Sequence, residues 1–161
     1  MSVNIDTRVV GPGSDEYVEA AWDLKEKIRH RDGVLKQRKG FFTDAYRRSK
    51  VHLYVEEGIE TKVIGFTAVR RDGYILFLAV DPVHRGEALG KRLVAQVAEE
   101  HRTVTCHART TNENALRFYE HLGFDIKRRI DNYYEDGGDA YYLKLGDDVS
   151  LTARLSEFMR R

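Results

Sequence analysis

Tyr74 to Arg92 reads YILFLAVDPVHRGEALGKR, and the order of its parts decides the fold. Seven uncharged residues, Tyr74 to Val80, predict a strand, and Asp81-Pro82 ends it, because proline lacks an N–H and restricts the residue before it. Past the turn, Leu89, Leu93 and Val97 recur at four-residue spacing and predict a helix from about Gly90, with Lys91, Arg92, Glu99 and Glu100 on its other faces. Between strand and helix stands Arg85-Gly86-Glu87-Ala88-Leu89-Gly90. Backbone N–H groups there have no partner within the helix and sit at the positive end of its dipole, so they suit a pyrophosphate. Taken alone, the same residues suit an ordinary strand-to-helix turn with a solvated arginine.

Two further segments bear on that choice. Arg109 to Phe124, RTTNENALRFYEHLGF, has Asn112 as a helix N-cap and Ala115, Phe118, Tyr119 and Leu122 as a buried stripe. Gly123 is its C-terminal stop. Asn112 and Tyr119 are seven residues apart and so share a helix face. Asn132 to Tyr141, NYYEDGGDAY, contains Asp136-Gly137-Gly138, the chemistry of a hairpin turn.

Together these segments resemble the GNAT superfamily of N-acetyltransferases. Val80-Asp81-Pro82 followed by Arg85-x-x-Ala88-x-Gly90 is similar to its acetyl-CoA loop, and Asn112 to Phe124 to its Asn-x-x-Ala-x-x-Phe/Leu-Tyr-x-x-x-Gly-Phe segment. The Tyr133-Tyr134 hairpin is similar to that of ribosomal-protein and archaeal N-terminal acetyltransferases. The resemblance implies an α/β (α+β) GNAT fold, with a mixed central β-sheet of about six to seven strands flanked by helices. It implies acetyl-CoA as cosubstrate and no metal. The coenzyme is expected on Arg85, Gly86, Glu87, Ala88, Leu89, Gly90 and Lys91, with Asn112 on the pantetheine. The backbone of Leu78, Ala79 and Val80, opened by a bulge, is expected to polarise the acetyl carbonyl. Tyr119 is implied as the acid that protonates the leaving thiolate, and Tyr133 and Tyr134 as residues over the incoming peptide. The chain departs from the family at Ala88, where glycine lets the backbone curl, and at His107, where N-terminal acetyltransferases place a Glu five residues before Asn112.

On the strand predicted from Thr103 to Ala108, Val104, Cys106 and Ala108 form the apolar parity and His107 takes the other face. An imidazole titrating near 6.5 accepts a proton at neutral pH, so His107 can replace the Glu as base, directly or through a water. A sheet histidine that merely hydrogen-bonds a neighbour is an equal alternative. An α-amine with a pKa of about 8 costs roughly 1.4 kcal/mol to neutralise at pH 7, a lysine near 10.4 roughly 4.6 kcal/mol, and the smaller demand suits a weak base. The function expected is acetyl transfer to a primary amine, the α-amine of a protein or peptide first, in a ternary complex. A small-molecule or lysine side-chain acetyltransferase and a non-catalytic acetyl-CoA-binding regulatory module are the alternatives.

Composition sets outer limits. With 161 residues and 42% hydrophobic positions in short runs, a single domain over 1–161 is expected, with no membrane span. A formal net charge of +1 speaks against a dedicated nucleic-acid binder, although Lys25, Lys27, Arg29, Arg31, Lys36, Arg38, Lys39, Arg47, Arg48 and Lys50 crowd one region. One cysteine and no basic-then-apolar leader point to the cytoplasm, and no pair of histidines has metal-ligand spacing. A monomer or homodimer is expected. Strands are predicted at Ile5 to Val10, Val51 to Glu56, Lys62 to Arg70, Phe124 to Tyr134 and Asp139 to Leu145. Helices are predicted from a Ser14 cap to Gly33, from Val34 to Arg48, and over the tail 148–161, where Leu151, Leu155, Phe158 and Met159 repeat at helical spacing.

Overall fold

The computed structural model describes residues 5–146, so the helix expected over 148–161 lies outside the described residues. The chain divides into two compact units, Met1–Gln96 and Val97–Arg161, taken here in turn.

In the first unit, strands β1 (Ile5–Val10), β2 (Lys50–Glu56), β3 (Lys62–Val69) and β4 (Ile75–Val80) form one antiparallel sheet in that order. Helices α1 (Val18–Asp32) and α2 (Lys39–Arg48) cover one face. Ala21, Leu24 and Ile28 of α1 and Phe42 and Tyr46 of α2 pack there on Val51, Leu53, Phe66, Ala68, Phe77 and Ala79. Phe42 is the hub, with Phe77 4.9 Å and Phe66 5.9 Å away between ring centroids. The other face carries Tyr54, Ile64, Leu78 and Val80 under Leu89 and Leu93 of α3 (Leu89–Glu100). β3 serves both faces because Ile64 is an extra residue opposite the Tyr54/Val55 step, which puts Val63 and Phe66 on the same side.

In the second unit, β5 (Val104–Arg109), β6 (Asp125–Ile130) and β7 (Ala140–Leu145) form an antiparallel sheet in the order β5-β7-β6, and α4 (Glu113–His121) links β5 to β6. β5 alternates buried Val104, Cys106 and Ala108 with half-buried Thr105, His107 and Arg109, the parity read from the sequence. β6 is an edge strand exposed from Asp125 to Arg129. The seven strands of the described residues thus come as two antiparallel sheets.

Several boundaries differ from the sequence reading. Ser14 does not cap α1: its hydroxyl accepts the Glu16 N–H at 3.1 Å, Tyr17 turns left-handed at φ 67°, and the helix starts at Val18. Gly33 closes it as read, in a left-handed conformation with its N–H on the Arg29 carbonyl. α2 starts at Lys39 rather than Val34, because Leu35 is left-handed at φ 55° and cannot continue a helix. β6 stops at Ile130, where Asn132 turns left-handed and gives its N–H to the Asp139 carboxylate. Tyr133 and Tyr134 therefore lie in a loop. The bulge of β4 falls at Leu76, between the Ala68–Phe77 and Val69–Ile75 pairs, and Leu78 to Val80 pair regularly with β3.

Candidate active site

The first unit supplies a strand edge and a loop. Asp81 N–H donates to the Ile64 carbonyl at 2.8 Å, with Gly65 opposite Val80 and Thr67 opposite Leu78. The alternation of an antiparallel ladder then turns the backbone groups of Ala79 toward β3 and those of Leu78 and Val80 away from it. Of the three positions expected to polarise a carbonyl, Ala79 is spent on the ladder. Leu78 and Val80 have donors to offer.

The loop begins with a 3-10 turn, Pro82–His84, capped by Asp81, whose carboxylate accepts the Val83 N–H at 3.1 Å and pairs with Lys27 Nζ at 3.0 Å. Burial works to raise the Asp81 pKa, but Lys27 and the Val83 N–H outweigh it and hold the group below its ordinary value. Not all the loop amides are open, as the sequence suggested. Arg85 N–H donates to the Pro82 carbonyl and Glu87 N–H to the His84 carbonyl, both at 3.3 Å. The N–H groups of Gly86, Ala88, Leu89 and Gly90 have no partner among the described residues. Four donors at the start of a twelve-residue helix are what an anionic diphosphate needs. Gly86 (φ 95°) and Ala88 (φ 62°) are both left-handed, so the curl that favours glycine is present and Ala88 bears its cost, roughly 1 kcal/mol. The Arg85 guanidinium is paired with Asp32 at 2.8 Å, and the Glu87 carboxylate lies 3.0 Å from His84 Nδ1. Lys91 sits in the first turn of α3.

The second unit supplies titratable groups. Asn112 caps α4, its Oδ1 accepting the Ala115 N–H at 3.2 Å, so the capping role is real and the side-chain amide N–H groups remain for a ligand. Tyr119 is buried between Phe118 and Phe124, at 5.1 and 5.0 Å between centroids, and its hydroxyl hydrogen-bonds the Cys106 side chain. Burial pushes the Cys106 thiol up to about 12, against which the Tyr119 bond works, so Cys106 is a neutral thiol at pH 7. Ala115 and Phe118 are only half-buried, so the predicted stripe narrows to Tyr119 and Leu122.

His107 lies between two rings, stacked on Tyr133 at 4.3 Å and 16° and tilted on Tyr142 at 5.1 Å. The Tyr133 hydroxyl is 3.3 Å from Nδ1. Burial lowers the His107 pKa, and Arg128 lowers it further, so the ring is neutral at pH 7. Tyr134 packs edge-on to Tyr133, its ring covered by the Arg109 guanidinium at 4.0 Å, and burial pushes its hydroxyl up to about 12. Arg109 also pairs with Asp136 at 3.1 Å. A Cβ at Gly138 would come within 2.5 Å of Arg109 Nη1, so a larger residue there would displace that guanidinium from Tyr134 and Asp136. Among the described residues, no group of three His, Cys, Asp or Glu side chains is placed to hold a metal ion, and no helix is long and apolar enough to cross a membrane.

Residues 48–126 match the acetyltransferase (GNAT) domain family. That stretch, just under half of the chain, is similar to the GNAT family. N-alpha-acetyltransferase 30 of Xenopus laevis is 41% identical over 80 residues, covering 47% of this chain and 29% of that protein. The chain spans less than half the length of the frog, human and yeast relatives of that name. The GNAT fold is seen over nearly all of it. Ard1 from Thermoplasma volcanium superposes with a TM-score of 0.70 over 89% of this chain and 97% of that one, at 23% identity. The NatC complex bound to Gag peptide and CoA contains a chain at TM-score 0.69 and 22% identity, over 89% of this chain and 99% of that one.

Four features of the described residues were not read from the sequence: the Cys106–Tyr119 bond, the Asp32–Arg85 and Lys27–Asp81 ion pairs, and the Tyr133 contact to His107. Helix spacing carried a signal for one pair of them, since Lys27 and Asp32 fall in the second half of the helix that Gly33 ends. The others join residues distant in the chain by tertiary packing that no local pattern encodes.

Proposed function

We propose that the chain is an acetyl-CoA-dependent N-acetyltransferase, one domain over 1–161, working in the cytoplasm as a monomer or homodimer. It transfers acetyl to a primary amine, the α-amine of a protein or peptide first. The observation that carries the reading is the set of N–H groups at Gly86, Ala88, Leu89 and Gly90, at the start of α3, that have no partner among the described residues. The N-alpha-acetyltransferase names of the sequence relatives support the amine class, and the CoA and peptide in the NatC structure support the pair of substrates.

In this reading the loop amides bind the diphosphate, with Arg85 and Lys91 adding charge, and Asn112 bonds the pantetheine. Leu78 and Val80 N–H groups meet the thioester carbonyl as it gains negative charge. The amine nitrogen attacks that carbon while His107, neutral at pH 7, takes up a proton. As the C–S bond breaks, Tyr119 gives its proton to the thiolate. Tyr133 and Tyr134 line the acceptor.

Calorimetry with acetyl-CoA tests the cradle, and thiol release with N-terminal peptides, lysine peptides and polyamines tests the transfer. Acceptor-dependent release with the N-terminal peptides is expected; binding without release from any of them would leave a coenzyme-binding module, and no binding would remove the reading altogether. Tyr119→Phe should lower kcat by about a hundredfold with acetyl-CoA affinity unchanged, and an unchanged kcat would end its assignment as the acid.

A further inference from the structure

In the second unit a row of rings ends on one enclosed cation. His107 and Arg109 are two residues apart on β5 and so share its face. Tyr133 lies flat on His107, with ring centroids 4.3 Å apart at 16°, and Tyr134 meets Tyr133 edge-on at 4.9 Å and 89°. The Arg109 guanidinium covers Tyr134 at 4.0 Å from the ring centroid and closes the row from the far end. Its side chain is 14% exposed. Nη1 donates to Asp136 Oδ1 at 3.1 Å, and the same oxygen accepts the Gly138 N–H at 3.0 Å. Tyr134 N–H donates to the Gly138 carbonyl and Gly137 N–H to the Tyr134 carbonyl, so this turn is closed on itself, and Arg109 ties it to β5. Gly138 leaves the room in which the guanidinium sits. A cation this enclosed, with its charge met by Asp136, supports rings rather than a ligand.

We propose that Arg109 is a positioning residue: through Tyr134 it keeps the Tyr133–Tyr134 pair seated on His107, and so governs acceptor binding rather than coenzyme binding. The inference rests on the acetyltransferase reading above, in which the two tyrosines line the acceptor. Tyr133 is 42% exposed; one of its faces is on His107, and the rest is surface for an acceptor to meet. Without the guanidinium, Tyr134 loses the plane it packs on and the turn loses its tie to β5, so Tyr133 can leave the imidazole. Water then reaches His107. The groups packed on that ring are Tyr133, Tyr142 of β7 and the charge of Arg128 on β6. Burial is the largest cause of its lowered pKa, so uncovering the ring moves its titration up toward the ordinary value while Arg128 still opposes the shift. Lysine is no substitute for Arg109, because an ammonium lacks the planar fork that lies on a ring and bonds a carboxylate at once.

The test uses the full chain with Arg109→Gln, Arg109→Lys and Gly138→Ala, the last displacing the guanidinium without changing its charge. In thiol-release assays with acetyl-CoA and an N-terminal peptide library, acceptor KM should rise about tenfold in each, with acetyl-CoA KM within about twofold of wild type. In proton NMR, the ring-current shift of the His107 ring protons should shrink and the midpoint of their titration should rise. Arg109→Lys should recover neither. Wild-type His107 signals in both Arg109→Gln and Gly138→Ala would overturn the proposal. So would an acceptor KM that stays at the wild-type value, or an equal rise in acetyl-CoA KM, the mark of general disorder. A wild type that acetylates no library member would instead defeat the acetyltransferase reading, and the His107 signals would still decide whether Arg109 holds the stack.

Discussion

Ala88 shows what one methyl group does in a phosphate loop. It holds φ at 62°, a conformation that costs a residue with a Cβ roughly 1 kcal/mol and glycine nothing. Ala88→Gly removes that strain but frees the unfolded chain, which offsets about half of the gain, so Tm should rise by a few degrees at most. Acetyl-CoA affinity should be preserved or increased, because the neighbouring N–H groups keep their directions. A lower Tm together with weaker binding in calorimetry would contradict this account. The sequence disclosed the position, since its spacing from Gly86 and Gly90 marked where the curl belongs. It did not disclose that Arg85 and Glu87 spend their amides on Pro82 and His84, because those bonds depend on the 3-10 turn, three residues too short to leave a periodic pattern.

At the level of elements, α1 is fixed by its apolar stripe and by a charged cluster near its middle. Glu26 is held at about 2 by its hydrogen bond to Arg29, against the cost of burial, and by Lys25. Lys25 is itself buried over the Trp22 ring at 4.5 Å. A carboxylate with a depressed folded pKa adds stability that is complete above its ordinary value of 4.5 and is lost as pH falls toward about 2. Glu26→Gln should therefore flatten the drop in Tm between about pH 5 and pH 2, with the smallest effect in high salt because the carboxylate is partly exposed. Parallel Tm–pH curves for the two proteins would remove Glu26 from the acid response. The strands from β1 to β5 were legible because their apolar residues repeat with period two or run unbroken between Gly and Pro signals. The starts of α1 and α2 were not, because Tyr17 and Leu35 adopt left-handed conformations that their side chains do not advertise. The end of β6 was hidden in the same way by Asn132, whose turn is completed by a carboxylate seven residues on.

For the whole molecule, a ligand that binds only the folded chain stabilises it by mass action. Acetyl-CoA at a hundred times its Kd should add about 2.7 kcal/mol, a rise of roughly 5–10 °C in Tm for a chain of this size, readable in a thermal scan. A scan that does not move at any concentration would argue against the loop as a coenzyme cradle. Fold membership was legible at this scale because three separated segments had to agree, which chance rarely arranges; the division of seven strands into two sheets was not, because which strands pair is settled by tertiary contacts rather than by any strand's own residues. One strand also bears on how copies of the protein meet. β6 borders its sheet with Lys127, Arg128 and Arg129 in succession, exposed and of one sign. A second chain docking there as an extra ribbon would have to crowd cation against cation, so this margin protects a crowded solution of the protein from growing fibrils.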